Sequence, residues 1–233
     1  MNIGLYSGVS SAYANERRLE GIASNLANVD TTAFKRVSTG TEAFRIPNGG
    51  ENDLALKTHT KTDFSQGLLE PSSSPYHMAL MGSGFFAVEG PAGEMYTRNG
   101  AFHVDDAGVL QTTEGYPVAW ERRGQPLDPN GEVVTVDGQG VVRQGKGEIG
   151  RVKVTDFADH QALVTFGDGY FQARRGNREV ASDAVVHQNQ LEGSNVSSID
   201  ELVSMIAIQR SFESARHVMS LIDQSYARLT QSR

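Results

Sequence analysis

The sequence contains no cysteine. Disulfides, thiolate metal sites and cysteine nucleophiles are therefore excluded. Proline is scarce, at 7 residues, while glycine reaches 25. That imbalance fits many tight β turns better than a proline-rich linker. No run of 18 apolar residues occurs, so no membrane-spanning helix is expected. Met1-Asn2-Ile3-Gly4-Leu5 lacks a basic segment followed by a long apolar one, so no secretory signal peptide is expected and export would need another route. Basic residues do not cluster: Arg17-Arg18, Arg122-Arg123 and Arg174-Arg175 are isolated pairs in a chain of net charge −7. An acidic chain without a basic stripe is poorly suited to binding nucleic acid through its phosphates. Apolar residues make up 38%, enough for a core but not a generous one.

The residue types that carry chemistry are present without the spacings that chemistry needs. His59, His77, His103, His160, His187 and His217 form neither H-x-x-x-H nor H-E-x-x-H. Asp105-Asp106-Ala107-Gly108 and Asp137-Gly138-Gln139-Gly140 lack the alternating acidic ligands of a calcium loop and read as hairpin turns. Gly82-Ser83-Gly84 has no third glycine and no following helical pattern, so it is a structural turn and not a nucleotide loop. No G-x-S-x-G elbow occurs. No catalytic, cofactor-binding or metal site is expected, and no small-molecule substrate.

What the chain does have is a change of period. Leu5, Val9, Ala12, Glu16, Leu19, Ala23 and Leu26 step by four and three residues, and only Glu16 is polar. This predicts an N-terminal helix of about 25 residues, roughly 40 Å long at 1.5 Å per residue. The polar run Asn28-Val29-Asp30-Thr31-Thr32 ends it. Near the other end, Leu202, Met205, Ile208, Phe212, Ala215, Met219, Ile222, Tyr226 and Leu229 recur at three or four residues without Pro or Gly. Ser197-Ser198 precede them, with Glu201 placed for a capping box with Ser198. Between the helices, turn signals recur every 8–12 residues among short β-type runs, which suggests an antiparallel sandwich or barrel. Asn99-Gly100, between Met95–Arg98 and Ala101–Val104, reads as a two-residue hairpin turn. Pro47-Asn48-Gly49-Gly50 and Glu70-Pro71-Ser72-Ser73-Ser74-Pro75 read as loops or linkers.

The resulting expectation is an α+β fold. Long N- and C-terminal helices form a coiled-coil-like stalk around a mainly antiparallel β centre. Residues 1–35 form an assembly helix with its signature, 36–75 an extended linker region, 76–190 a central β domain and 191–233 a C-terminal assembly helix. The two apolar seams lie outside the β region, with no intrachain neighbour except one another, so association with other copies is expected.

Several motifs carry a resemblance. Ser24-Asn25-Leu26-Ala27-Asn28-Val29-Asp30-Thr31-Thr32-Ala33-Phe34-Lys35 resembles the N-terminal signature of flagellar basal-body rod and hook proteins, with Asn25, Asn28, Thr31, Phe34 and Lys35 in place and Ala33 where glycine is usual. Asn195-Val196, Glu201–Ile206 and Gln209-Arg210-Ser211-Phe212-Glu213 resemble the C-terminal signature. Gly82–Phe86, Tyr96–Gly100 and Gly108-Val109-Leu110 look like the β-domain motifs of that family. The resemblance implies a structural, non-enzymatic rod subunit that assembles with its own copies and neighbouring axial proteins. It also implies export by the flagellar type III apparatus to a rod crossing the periplasm. Short length, Leu191–Val196 and Gly115–Val118 look most like the proximal rod protein beside the distal rod. A distal rod or hook subunit is the alternative within the family. A β-sandwich adhesin with a helical stalk is the alternative outside it.

Overall fold

The computed structural model describes residues 3–45, 54–91 and 93–231, and divides the chain into two compact units. One comprises residues 1–29, 36–63 and 196–233, and the other residues 30–35 and 64–195.

The first unit is built from helix α1 (Ile3–Ala27), an antiparallel hairpin of Val37–Arg45 with Leu54–Thr62, and helix α2 (Ser198–Gln231). The helices form where the sequence period predicts them. α1 packs on both α2 and the hairpin. Among its described side chains, Ala14, Asn15, Ile22 and Asn25 are buried. That face lies about a third of a turn from the predicted seam, because the hairpin as well as α2 needs covering. The hairpin occupies part of the region whose composition reads as linker. Nine residues of each strand pair in register, from Val37 opposite Thr62 to Arg45 opposite Leu54. The β-branched residues at Val37, Thr39, Thr41, Thr58, Thr60 and Thr62 favour that pleat although few are apolar. The Pro47–Gly50 segment lies outside the described residues.

The start of α2 departs from the capping-box expectation. The Ser197 hydroxyl accepts a bond from the Asp200 N–H at 3.4 Å, and Glu201 N–H donates to the Ser197 carbonyl at 3.0 Å. The Glu201 side chain turns away to Arg36. The Arg36 guanidinium outcompetes a backbone N–H for that buried carboxylate.

In the second unit every pairing is antiparallel. A six-stranded sheet runs in the order Leu163–Gly167, Tyr170–Ala173, Gly93–Thr97, Phe85–Gly90, Val154–Phe157, Glu179–Ala181. A four-stranded sheet runs Val134–Val136, Val141–Gln144, Gly147–Val152, Trp120–Arg123. Three two-stranded ribbons complete it. The strand Phe85–Gly90 is buried on both faces. Phe86 and Val88 enter one core with Met78, Leu80, Phe102 and Val152, whereas Phe85 and Ala87 enter another with Tyr96, Phe157 and Phe171. Its continuous apolar run follows from that double burial. Phe64, Phe85 and Phe171 meet edge to face at 5.1–6.0 Å between ring centres, each pair adding about 0.5–1.5 kcal/mol beyond its area.

Both acidic turns form as expected, by one device. The Asp105 carboxylate accepts from Ala107 and Val109 N–H, and Asp137 from Gln139 and Val141 N–H. Gly108 and Gly140 take φ of +76° and +77°. The hairpin expected at Asn99-Gly100 does not form. Gly93–Thr97 pairs with Phe85–Gly90, and His103–Val104 with Leu110–Gln111. Gly100 serves a close approach instead: Met78 N–H donates to its carbonyl, and a Cβ on Gly100 would lie 1.6 Å from the Met78 carbonyl oxygen.

Candidate assembly surface

The predicted seam residues divide into three groups. On α1, Ala12, Leu19 and Leu26 are half-buried and Ala23 is exposed. On α2, Met205, Ile208 and Ala215 are half-buried, while Leu202 and Phe212 remain exposed. The side chains of Leu5, Val9, Met219, Ile222, Tyr226 and Leu229 lie outside the described residues. The inner side of α2 thus holds three of its five described seam residues. Its outer side carries a row the seam did not include: Ile199, Val203 and Ile206 are 72%, 63% and 53% exposed.

The signature residues work inside the chain. Asn25 is buried, and its amide imitates a backbone pair: Nδ2 donates to the Val37 carbonyl and Oδ1 accepts from Val37 N–H, both at 2.8 Å. Asn28 Nδ2 donates to the Ser24 carbonyl at the end of α1. The Thr31 carbonyl accepts from Phe34 N–H, and the half-buried Phe34 offers its own carbonyl to Asn195 N–H. Asn195 Nδ2 bonds the Ser65 carbonyl and hydroxyl. Gln209 and Arg210 are exposed.

The departure at Ala33 coincides with a conformational demand. Ala33 has φ of +57°, a left-handed backbone for which glycine is the ordinary choice. It is 3% exposed, and its N–H donates to the Glu192 carbonyl at 2.7 Å.

Two consecutive cations, Lys35 and Arg36, each take a carboxylate from the C-terminal half. In the second unit Lys35 Nζ meets Glu192 Oε1 at 2.5 Å, and Arg98 reaches Glu192 Oε2 at 3.5 Å. Gly67 N–H also donates to Glu192 Oε1, and Arg98 donates to the Gly82 carbonyl at 2.7 Å and lies over the Phe85 ring. All three charged side chains are at most 4% exposed. Burial lowers the Arg98 pKa from its ordinary value, and Glu192 opposes that fall. In the first unit Arg36 Nε meets the buried Glu201 at 2.6 Å. Lys35 was anticipated as a signature residue. Arg98 and Glu192 stand in the sequence only as members of motifs, and Glu201 as the capping-box partner of Ser198. The one signal that could have raised them is that each is a charged residue inside a short run of small and apolar ones.

Among the described residues, no cluster of three or more His, Asp or Glu side chains is placed to hold a metal ion. No described helix is long and apolar enough to cross a membrane.

The chain combines an antiparallel β unit with a unit of paired helices drawn from its two ends. Comparison with known proteins names the class. Residues 5–35 match the flagella basal body rod protein model, 79–144 the flagellar hook protein FlgE/F/G D1 domain, and 187–232 the flagellar basal body rod FlgEFG protein C-terminal region. Flagellar basal-body rod protein FlgF of Caulobacter vibrioides is 33% identical over 227 residues, covering 94% of this chain and 93% of the relative. The FlgF protein of Mesorhizobium japonicum is 31% identical, covering 94% and 92%. Flagellar basal-body rod protein FlgG of Buchnera aphidicola (subspecies Schizaphis graminum) is 29% identical, covering 94% and 95%. The chain belongs to the flagellar basal-body rod protein family, and its role is that of a structural rod subunit.

Proposed function

We propose that this subunit polymerises through its terminal helices into a helical tube that transmits torque. On this reading its partners are its own copies and neighbouring axial proteins. It reaches a periplasm-spanning rod through the flagellar type III export apparatus. It performs no catalysis. The observation that carries the reading is the helix α2, which keeps Leu202 and Phe212 exposed after α1 has packed against it. In water a helix gains its stability from covering such a face, and a subunit of a polymer can leave that to its neighbours. The coiled-coil character of the paired helices belongs to the same proposal.

We place the chain with the proximal rod, beside the distal rod. Its alignment with the Caulobacter FlgF protein runs over 227 positions, against 249 for the Buchnera FlgG protein over the same share of the chain. Fewer alignment positions over the same share of the chain mean fewer gaps, which supports this reading. The test is location and stoichiometry in purified basal bodies. The chain should co-purify with the rod in a fixed ratio, and a deletion strain should lack the rod beyond this point. A full-length rod in the deletion strain would reject the placement.

A further inference from the structure

The two units differ sharply in charge. The first carries ten basic and ten acidic residues and is neutral, whereas the second carries eleven and eighteen and holds the whole net charge of −7. Copies of the first unit therefore meet without net repulsion, and the contacts between them are decided locally. Two local features of that unit fit one another. The first is a ridge on α2. Ile199, Val203, Ile206 and Arg210 follow at steps of four, three and four residues, so they share one helix face. All are exposed, and among the described residues Arg210 makes no ion pair. The second is a cleft of about 320 Å³ with an apolar lining of Ile22, Val37, Ala207 and Ile208 and a polar lining that includes Arg18, Arg36, Ser38 and Glu201. Glu201 is fully buried; its Oε1 holds Arg36, while its Oε2 has no hydrogen-bond partner among the described residues. A buried carboxylate oxygen without a donor is costly and marks an unfinished site.

We infer that the α2 ridge of one copy docks into this cleft of the next, with the aliphatic side chains on the apolar lining and Arg210 supplying the donor that Glu201 lacks. This rests on the rod-subunit reading and deepens it by assigning the two sides of α2. The inner side, with Met205 and Ile208, packs within the chain, and the outer side packs between copies. Ridge and cleft are different surfaces, so the contact repeats head to tail and builds an open polymer, not a closed pair. Four partly exposed side chains offer well under the roughly 800 Å² per partner that a standard stable interface buries. A free subunit therefore stays monomeric and joins only where several neighbours hold it at once.

The absence of cysteine makes the test direct. Cells co-express two differently tagged full-length chains, one with Ile206→Cys and one with Ser38→Cys, and purified basal bodies are oxidised with copper–phenanthroline. The expected product is a dimer carrying both tags. Arg210→Glu on the Ile206→Cys chain should lower its yield about tenfold or keep that chain out of the basal body, while Arg210→Lys should retain it. Dimers of one tag only, or none while both chains are present in the basal bodies, overturn the inference and leave the rod reading intact. Absence of both chains from the basal bodies of motile cells overturns the rod reading itself.

Discussion

Lys35 Nζ lies 2.5 Å from Glu192 Oε1, with both side chains withdrawn from solvent and 157 positions between them in sequence. The contact joins the N-terminal signature to the segment that leads into α2. Arg98 makes it a triad with one carboxylate and two cations, so its formal charge is +1. Removing either kind of charge should have unequal effects. Lys35→Met leaves Arg98 and Glu192 as a neutral pair and should cost about 1–3 kcal/mol. Glu192→Gln leaves two cations buried together and should exceed the 3–5 kcal/mol typical of breaking a buried pair. Chemical denaturation of the two variants checks the order, and equal losses would show that the triad is more hydrated than its burial implies.

Ala33 occupies a left-handed backbone with its methyl group buried. Ala33→Gly removes the strain but also a buried methyl and some unfolded-state restriction, so stability should change by less than about 1 kcal/mol. Ala33→Val places a β-branched side chain at φ of +57° and should cost about 2 kcal/mol or more. Thermal melts of both variants separate the backbone effect from burial.

Gly100 and Gly169 make a paired test of why each is glycine. Gly169 has φ of +79° with open space where a Cβ would sit, so Gly169→Ala meets only the backbone cost, about 1 kcal/mol. Gly100→Ala drives a methyl into the Met78 carbonyl and should cost about 3 kcal/mol or more, because backbone must move. Similar losses for the two would show that the segment carrying Gly100 yields easily.

His77 gives the β unit a mild dependence on pH. Its ring accepts or donates a 2.7 Å bond with the Ser72 hydroxyl, and burial lowers its pKa below the ordinary 6.5. A histidine held neutral in the fold binds fewer protons than in the unfolded chain. Its contribution is therefore complete above pH 6.5 and is lost as pH falls through the folded value. Between pH 7 and 5 the wild-type protein should lose stability faster than His77→Gln. Parallel curves would remove His77 from the account.

How much of this was legible depended on whether the signal was local. The 3.5-residue period of Leu5 to Leu26 and of Leu202 to Leu229 gave both helices, because a helix declares itself within a few turns. Asp105 and Asp137 gave their turns for the same reason. Asn99-Gly100 misled, since the same dipeptide also satisfies a site where two backbones nearly touch. The hairpin of Val37–Arg45 with Leu54–Thr62 was obscured by threonines and charges that hide its alternation. The side chain of Glu201 read locally as a cap, but Arg36, 165 positions away, claims it. Such pairings between distant charges leave no periodic trace. Ile199, Val203 and Ile206 fall off the seam, so periodicity does not mark them as a contact face. Only the packing of α1 on α2 shows which side of α2 is covered.

Phe212 gives the most direct test of the helices as an assembly device. It is 37% exposed after α1 and α2 have packed, so it has surface left to bury and is no part of either β core. Phe212→Asp should therefore change the stability of the free subunit little, within about 1 kcal/mol. In the polymer the same carboxylate would enter a packed contact, where an unpaired charge costs several kcal/mol and does so at every copy. The variant should be made and exported but should fail to build the rod, and cells should not swim. Ser214 is the control. It is exposed, and its hydroxyl only returns a 2.9 Å bond to the Arg210 carbonyl one turn back. Ser214→Asp should leave motility intact. Motility assays and basal-body electron microscopy read the first effect, and thermal melts of the purified subunit read the second. Normal swimming by the Phe212→Asp strain would remove this face of α2 from the assembly contact. A large fall in the melting temperature would place Phe212 in the subunit's own core instead.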